Sequence, residues 1–403
     1  MNASHETLSD LTGAPVATRG PAVAPEGLTV PGSRPSPRRK AGRGETREAV
    51  LEVTDLRVAF SREGRTVHAV NGLSYEVRAG EMLAIIGESG SGKSVSTRAL
   101  MGLLPPSARV TGSARLGDTE LVGMSEKAMR RLRGCDLAMV FQDPARSLNP
   151  TMRIGAQIVE AIRAHSERNG LDKKGAQARA IELLKLVRLP APERRFHEYP
   201  HQLSGGMRQR VMIAIALAGD PKVLIADEAT TALDVTTQAQ IMELLVDLQE
   251  RLGMAVIMIS HDLGLAASYA QEVLVMYAGK AVEYAETEDL FSNVRMPYTR
   301  ALLGAIPQLT TEAHSLLPVI GGQPPDLSAL PQGCAFRPRC VNAQDDCAVA
   351  PTLDEHEPGH WFACWHPAES RRTPAAEAAR NGSTAATGTP AATGNPLSKG
   401  GEA

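Results

Sequence analysis

Eight consecutive residues, Gly87-Glu88-Ser89-Gly90-Ser91-Gly92-Lys93-Ser94, fit the pattern G-x-x-x-x-G-K-[ST]. Each type has work to do around a phosphate. The glycines let the backbone curl so that N–H groups converge on phosphate oxygens. A helix opening behind them turns its positive end to the same anion. Lys93 reaches the outer phosphates, and Ser94 can ligate Mg²⁺. Two carboxylates, Asp227 and Glu228, follow the apolar run Val223-Leu224-Ile225-Ala226. The first suits a Mg²⁺ held through its water shell; the second suits a base that orients an attacking water and draws off its proton. Gln142 and His261 also close apolar runs, where each can sense a terminal phosphate, although a lone Gln or His is a weak signal. Ser204-Gly205-Gly206 opens another helix and forms a second anion site. One nucleotide needs one phosphate loop, so the second site predicts a dimer in which this helix end meets the partner's nucleotide. Cys334, Cys340, Cys347 and Cys364 are spaced C-x5-C-x6-C-x16-C among prolines. Four thiolates suit an iron–sulfur cluster or Zn²⁺. Zinc usually takes tighter cysteine pairs, and the wide gaps fit better around a larger cluster; zinc and plain reduced thiols stay open as alternatives.

These residues need elements to hold them. Met82-Leu83-Ala84-Ile85-Ile86 suits a buried parallel strand before the glycine loop, and a helix over Val95 to Leu104 would be stopped by Pro105-Pro106. Strand, loop and helix together favour nucleotide binding over a chance glycine-rich turn. Upstream, Leu51 to Val53, Leu56 to Phe60, Val67 to Val70 and Leu73 to Val77 predict an antiparallel patch, the last two runs broken at Asn71-Gly72. Phe60, at its first corner, suits either an adenine ring or the core. Cys135 to Gln142 reads as a strand, with Cys135 in the core. Ile154, Ile158 and Ile162 recur at helical spacing, and a second helix covers Ala176 to Val187. This helical insertion closes at Ser204, where a helix begins that runs through Ala218. Ile241, Leu244, Leu245, Leu248 and Leu252 mark an amphipathic helix, Ala255 to Ile259 a buried strand, and Gly279 the turn of a hairpin. Polar groups at the C-terminal ends of apolar strands point to a doubly wound α/β sheet with its ligand edge there.

At 403 residues the chain can hold two domains, and a net charge of −2 gives no global sign of nucleic-acid binding. The apolar run Val211 to Gly219 is too short to span a bilayer, and Met1 to Asp10 lacks the basic-plus-apolar start of a signal peptide, which predicts a cytoplasmic protein. Residues 1–48 and 368–403 read as disordered tails. The basic cluster Arg34, Arg38, Arg39, Lys40 and Arg43 suits a solvated tail better than a lipid contact.

Taken together and in order, these motifs resemble the ATP-binding subunit of an ABC transporter. Leu203-Ser204-Gly205-Gly206-Met207-Arg208-Gln209 is similar to the family signature, Val140-Phe141-Gln142-Asp143-Pro144 to its glutamine loop, Ala232-Leu233-Asp234 to the loop that crosses the dimer, and His261 to the switch histidine. The resemblance implies a P-loop NTPase, RecA-like ABC nucleotide-binding domain over residues 49–308, with an antiparallel β patch and a helical subdomain. It places Phe60 on the adenine, makes Glu228, His261 and Gln142 catalytic, and adds Asp234 and Ser204 to Gly206 to the nucleotide contacts. Ser147-Leu148-Asn149-Pro150, Tyr199-Pro200-His201-Gln202, Thr230 to Thr236, Met276 to Gly279, Gly322 to Leu327 and Leu330 to Cys340 narrow the likeness to dipeptide/oligopeptide importer ATPases. That implies a cysteine-bearing C-terminal extension, here residues 309–367, which in some members carries a [4Fe–4S] cluster. Nothing in the sequence sets it beside the ATP. The resemblance further implies ATP and Mg²⁺ as ligands, Gln142 touching the metal with Ser94 and Asp227. The implied partners are a second ATPase subunit, identical or paralogous, two permease subunits and an extracytoplasmic peptide-binding protein. The implied location is peripheral, on the cytoplasmic face of the plasma membrane. Rival readings are the same machine with another cargo such as nickel or an oligosaccharide, a soluble ABC protein, or a binding module that does not hydrolyse. The chain departs from the family pattern at Ala229, where Pro is usual, at Met296, where His is usual, and at Met207, where the wider signature has Gln.

Overall fold

Strand β3, Met82–Ile86, divides the molecule. Its alternate side chains enter two different cores: Met82, Ala84 and Ile86 one, Leu83 and Ile85 the other. A strand covered on both faces reads as an unbroken apolar run, which is why this stretch carries no polar residue. The computed structural model describes residues 48–62, 65–165, 168, 170–231, 233–305 and 320–369. The two tails and the junction expected at 308/309 therefore lie outside the described residues, apart from Glu48, Ala368 and Glu369.

The first layer is a four-stranded antiparallel sheet in the order β2-β1-β4-β5, from β1 (Ala49–Arg62), β2 (Arg65–Arg78), β4 (Ala108–Leu116) and β5 (Thr119–Glu120). The break expected at Asn71-Gly72 does not occur. β2 runs through, and the irregularity is taken up as register shifts against β1. The second layer is an eight-stranded sheet, β11-β12-β10-β9-β3-β8-β7-β6. Its middle is parallel: β6 (Leu137–Val140), β7 (Val223–Asp227), β8 (Ala255–Ser260), β3 and β9 (Glu272–Tyr277). β6 is shorter than expected, and Cys135 precedes it, 1 % exposed. β10 (Lys280–Glu286) returns antiparallel to β9 around Gly279, and β12 (His360–Phe362) and β11 (Asp354–Glu357) continue the sheet beyond it.

Helix α1, Lys93–Leu100, begins two residues earlier than expected and ends before the prolines. Gly102 N–H bonds to Ala99 O and Leu103 N–H to Arg98 O, a Schellman closure that stops the helix by itself. α2 (Glu126–Leu132) and α3 (Pro144–Ser147) follow, capped by Ser125 and Asp143. The helical insertion is α4 (Ile154–Ala164), α5 (Lys173–Leu186) and the short α6 (Pro192–Arg195). Ile154, Ile158 and Ile162 on α4 are buried, as their spacing requires. α7 (Gly205–Ala216), α8 (Val235–Leu252), α9 (Leu263–Tyr269), α10 (Thr287–Ser292) and α11 (Pro297–Gly304) complete the set. None of the described helices is long and apolar enough to cross a membrane.

Candidate functional site

The loop from Gly87 leaves the end of β3 and enters α1. Gly92 holds φ +101°, and a Cβ there would lie 2.3 Å from the Ala69 carbonyl oxygen, so no side chain fits. Lys93 is buried, and its Nζ donates to the carbonyls of Gly87 and Glu88 at 2.8 and 2.9 Å. Burial pushes its ammonium pKa down, while Glu228, Asp227 and Glu88 hold it up. The hydroxyl of Ser91 is buried with no partner among the described residues, a donor ready for an anion's oxygen.

Three neighbouring strand ends converge on this loop. Ser94 Oγ donates to Asp227 Oδ1 at 2.6 Å, and Arg98 reaches Asp227 Oδ2 at 3.3 Å. Gln142, after β6, donates through Nε2 to Glu228 Oε2 at 2.7 Å. His261, after β8, places Nδ1 3.8 Å from Glu228 Oε1. Individually weak signals thus become one cluster at the C-terminal edge of the parallel strands, where α/β sheets bind ligands. Ser94, Asp227 and Gln142 supply oxygen donors, the set a hard cation such as Mg²⁺ takes. Glu228 stands beside them as an acceptor for a water's proton.

The remaining expected residues lie elsewhere. Phe60 is half-buried at the end of β1, packed on the core between the two sheets. Ser204 caps α7, accepting from the Met207 N–H at 3.3 Å. A Cβ on Gly206 would meet Thr237 Cγ2 at 2.5 Å, so a larger residue there would have to displace the Thr237 side chain where α7 starts against α8. Asp234 caps α8 through the Thr237 N–H at 2.9 Å, and that bond holds its carboxyl below the usual range. Within one chain, the starts of α7 and α8 meet at Gly206 and Thr237.

Nothing in the sequence sets the cluster beside the ATP, but the structure brings the cysteine segment to the phosphate loop through Arg339. Arg339, next to Cys340, forks onto Glu88 with bonds of 2.7 and 2.9 Å. Tyr298 OH accepts the Glu88 N–H at 2.8 Å. Tyr277, Tyr298 and Phe336 pack as a trio with ring centroids 4.5 to 5.3 Å apart. Arg339 and Glu88 are 251 positions apart, and no spacing rule links them. The one available signal is the stretch Phe336-Arg337-Pro338-Arg339-Cys340, which carries the likeness to peptide-importer ATPases but nothing that points to Glu88.

Cys334, Cys340, Cys347 and Cys364 line a single pocket with Met296, and none is in a disulfide. Burial raises the thiol pKa of Cys334 and Cys340, and pushes that of Cys364 up to about 12. Asp346, Cys347 and His366 form a tighter set, their donor atoms within 4.8 Å of one another.

Residues 70–231 match the ABC transporter family, and residues 282–347 match the C-terminal region of oligopeptide/dipeptide transporters. The oligopeptide transport ATP-binding protein OppD of Salmonella typhimurium is 48 % identical over 320 residues, covering 79 % of this chain and 94 % of that protein. The dipeptide transport ATP-binding protein DppD of Bacillus subtilis is 47 % identical, covering 79 % and 95 %. OppD of Mycobacterium tuberculosis is 51 % identical over 78 % of this chain, and the chain spans about half, 51 %, of that relative's length. Among solved structures, the dimeric ATP-binding cassette MJ0796 bound to ADP and Pi matches with a TM-score of 0.53 and 26 % identity, over 59 % of this chain and 98 % of that one.

Proposed function

The chain belongs to the ABC transporter ATP-binding proteins of the oligopeptide/dipeptide group, and from that premise we propose that it hydrolyses MgATP to power uptake of dipeptides or oligopeptides through a membrane importer. The observation that carries this reading is the meeting of Gln142, Glu228 and His261 beside the Ser94–Asp227 pair. Lys93 and the loop amides stabilise charge on the phosphates, and Ser94 and Asp227, with Gln142, hold the metal of the substrate. Glu228 takes the proton of the attacking water, with His261 and Gln142 keeping its carboxylate in place. Phe60 stacks on the adenine. Ser204 to Gly206 and Asp234 serve the nucleotide of a second ATPase subunit, identical or paralogous. Residues 49–308 form the nucleotide-binding domain, docked peripherally on two permease subunits at the cytoplasmic face of the plasma membrane, with a peptide-binding protein on the other side. The test is uptake of a labelled dipeptide or short oligopeptide by the host. Deleting the chain abolishes it, and restoring the wild-type chain, but not Lys93→Ala, returns it. Uptake that persists in the deletion overturns the cargo; a purified transporter that does not hydrolyse ATP overturns the activity.

The same reading gives residues 309–367 a [4Fe–4S] cluster on Cys334, Cys340, Cys347 and Cys364. The donor set fits: four reduced cysteines face one pocket. A tetrathiolate zinc site draws its sulfurs to about 3.8 Å from one another, given Zn–S bonds near 2.3 Å. Among the described residues, no three of these sulfurs form a group within 4.8 Å. When bound, the cluster supplies a cross-link among loops and a one-electron redox couple. Zinc is the second reading, favoured by the compact Asp346–Cys347–His366 set. Anaerobic purification decides: equal iron and sulfide, lost in Cys340→Ser, supports the cluster, whereas stoichiometric zinc lost in His366→Ala overturns it.

A further inference from the structure

Glu88 is an awkward residue to find in a phosphate-binding loop. Its carboxylate is negative where the ligand is negative, and its backbone carbonyl is one of the two that hold Lys93. Arg339 cancels that charge with a two-pronged bond, and its own side chain is 4 % exposed. The guanidinium is fixed from the far side as well. Its Nε donates to Gly321 O at 2.8 Å, and the rings of Tyr277 and Phe336 flank it at 5.9 Å each. A partly buried ion pair is weak evidence for stability, because desolvation offsets much of the attraction; its use is to fix one arrangement. The fixed arrangement here joins two places of unlike chemistry. Arg339 is bonded directly to Cys340, whose side chain lines the four-cysteine pocket, and Phe336, two residues after Cys334, lines that pocket too. A repacking around the four sulfurs that displaces Phe336 or Cys340 reaches the guanidinium through them, and the guanidinium holds the phosphate loop.

We propose that Arg339 is a positioning residue for the phosphate loop and couples the cysteine pocket to the nucleotide, so that a change of state in one alters the affinity of the other. The coupling is reciprocal: whatever factor one site imposes on the other's affinity, it receives in return. It rests on ATP binding at this loop, which titration of the wild-type chain tests on its own.

Two readouts on the purified full-length chain separate this role from mere support of the fold. The first is the dissociation constant of a fluorescent ATP analogue. The second is intrinsic fluorescence: the chain has 2 tryptophans, Trp361 and Trp365, both in the cysteine segment, and Trp365 lines the pocket. In the wild type, MgATP shifts tryptophan emission. Arg339→Gln leaves the Glu88 carboxylate unpaired, raises the dissociation constant at least about fivefold and removes the emission shift. Adding Glu88→Gln to that variant removes the stranded charge and brings the affinity back to within about twofold of wild type, still without the shift. Arg339→Lys keeps the charge but not the fork, and recovers affinity better than it recovers the shift. Wild-type affinity in Arg339→Gln, a failure of Glu88→Gln to rescue it, or an emission shift that survives without the guanidinium overturns the proposal. Should Arg339→Gln not fold, Glu88→Gln alone breaks the pair from the loop side, and a wild-type emission response there overturns it equally. A wild-type chain that binds no ATP overturns the functional reading first and the coupling with it.

Discussion

Glu228 has φ +48°, in the left-handed region that a residue with a side chain seldom adopts. Its N–H donates to Ile259 O at 3.1 Å, which ties it to the end of β8, and its carboxylate accepts from Gln142 Nε2 at 2.7 Å, with His261 Nδ1 3.8 Å away. Backbone strain of this kind costs about 1–3 kcal/mol and persists only where surroundings over-determine it. The carboxylate accepts this bond from Gln142 although Ala229 stands where the family usually has proline. Glu228→Gln keeps the shape and the bond to Gln142 but loses the base. It should bind ATP with near wild-type affinity and hydrolyse it about a hundredfold or more slowly, as parallel binding and phosphate-release assays would show. At this scale, legibility depended on distance along the chain. The phosphate loop is eight contiguous residues and announces itself. Gln142 and Glu228, 86 positions apart, were found only by asking what stands at strand ends. Arg339 had no such rule to reveal it.

The same contrast holds for elements. β3, β7 and β8 were visible because burial on both faces demands unbroken apolar runs. β4 was missed because most of its residues are exposed or half-exposed and Gly112 interrupts it, leaving no alternation to see. β11, Asp-Glu-His-Glu, has almost nothing apolar and exists because β12 offers it a partner. The start of α7 yields a prediction at this scale. Ser204 caps that helix on an exposed surface, and the proposed dimer sets it against the partner's nucleotide. Ser204→Ala should leave the ATP affinity of the isolated chain unchanged and depress hydrolysis in the assembled transporter. Full activity of a strictly monomeric preparation would rule out the shared site. The joint between β10 and β12 yields another. Glu283 and His360 are both fully buried, 2.9 Å apart, and Glu283 also accepts the Arg295 N–H at 2.7 Å. Removing His360 takes away one of the two hydrogen bonds to the buried Glu283, so His360→Ala should cost about 1–3 kcal/mol in denaturant unfolding and free the cysteine segment first.

For the molecule as a whole, the cysteine segment contributes a loss of stability at alkaline pH. Burial holds the Cys364 thiol at about 12, and the nearby sulfurs of Cys340, Cys334 and Cys347 push the same way. An unfolded thiol titrates near about 8.5. Between those values the folded chain keeps a proton that the unfolded chain has lost, so stability falls as pH rises through the window and is fully present below it. With the thiols reduced and unligated, denaturant midpoints followed by tryptophan emission should decline from about pH 8.5 upward; a flat profile would contradict the burial. The way the segment joins the sheet has a separate bearing on how this protein behaves in crowded solution. β12 covers one side of β10, pairing Glu283, Tyr284 and Ala285 with Phe362, Trp361 and His360. A chain ending at residue 305 would present that side of β10 as a bare ribbon of backbone donors and acceptors, a template for strands from other molecules. Among the described residues the rim is β11 instead, where Glu357 pairs with Arg295 while Glu355 and Asp354 add negative charge, and like charges repel a second copy approaching edge to edge. Light scattering should therefore find the shortened chain forming aggregates at concentrations where the full chain stays dispersed, which makes the acidic rim a built-in guard against self-association.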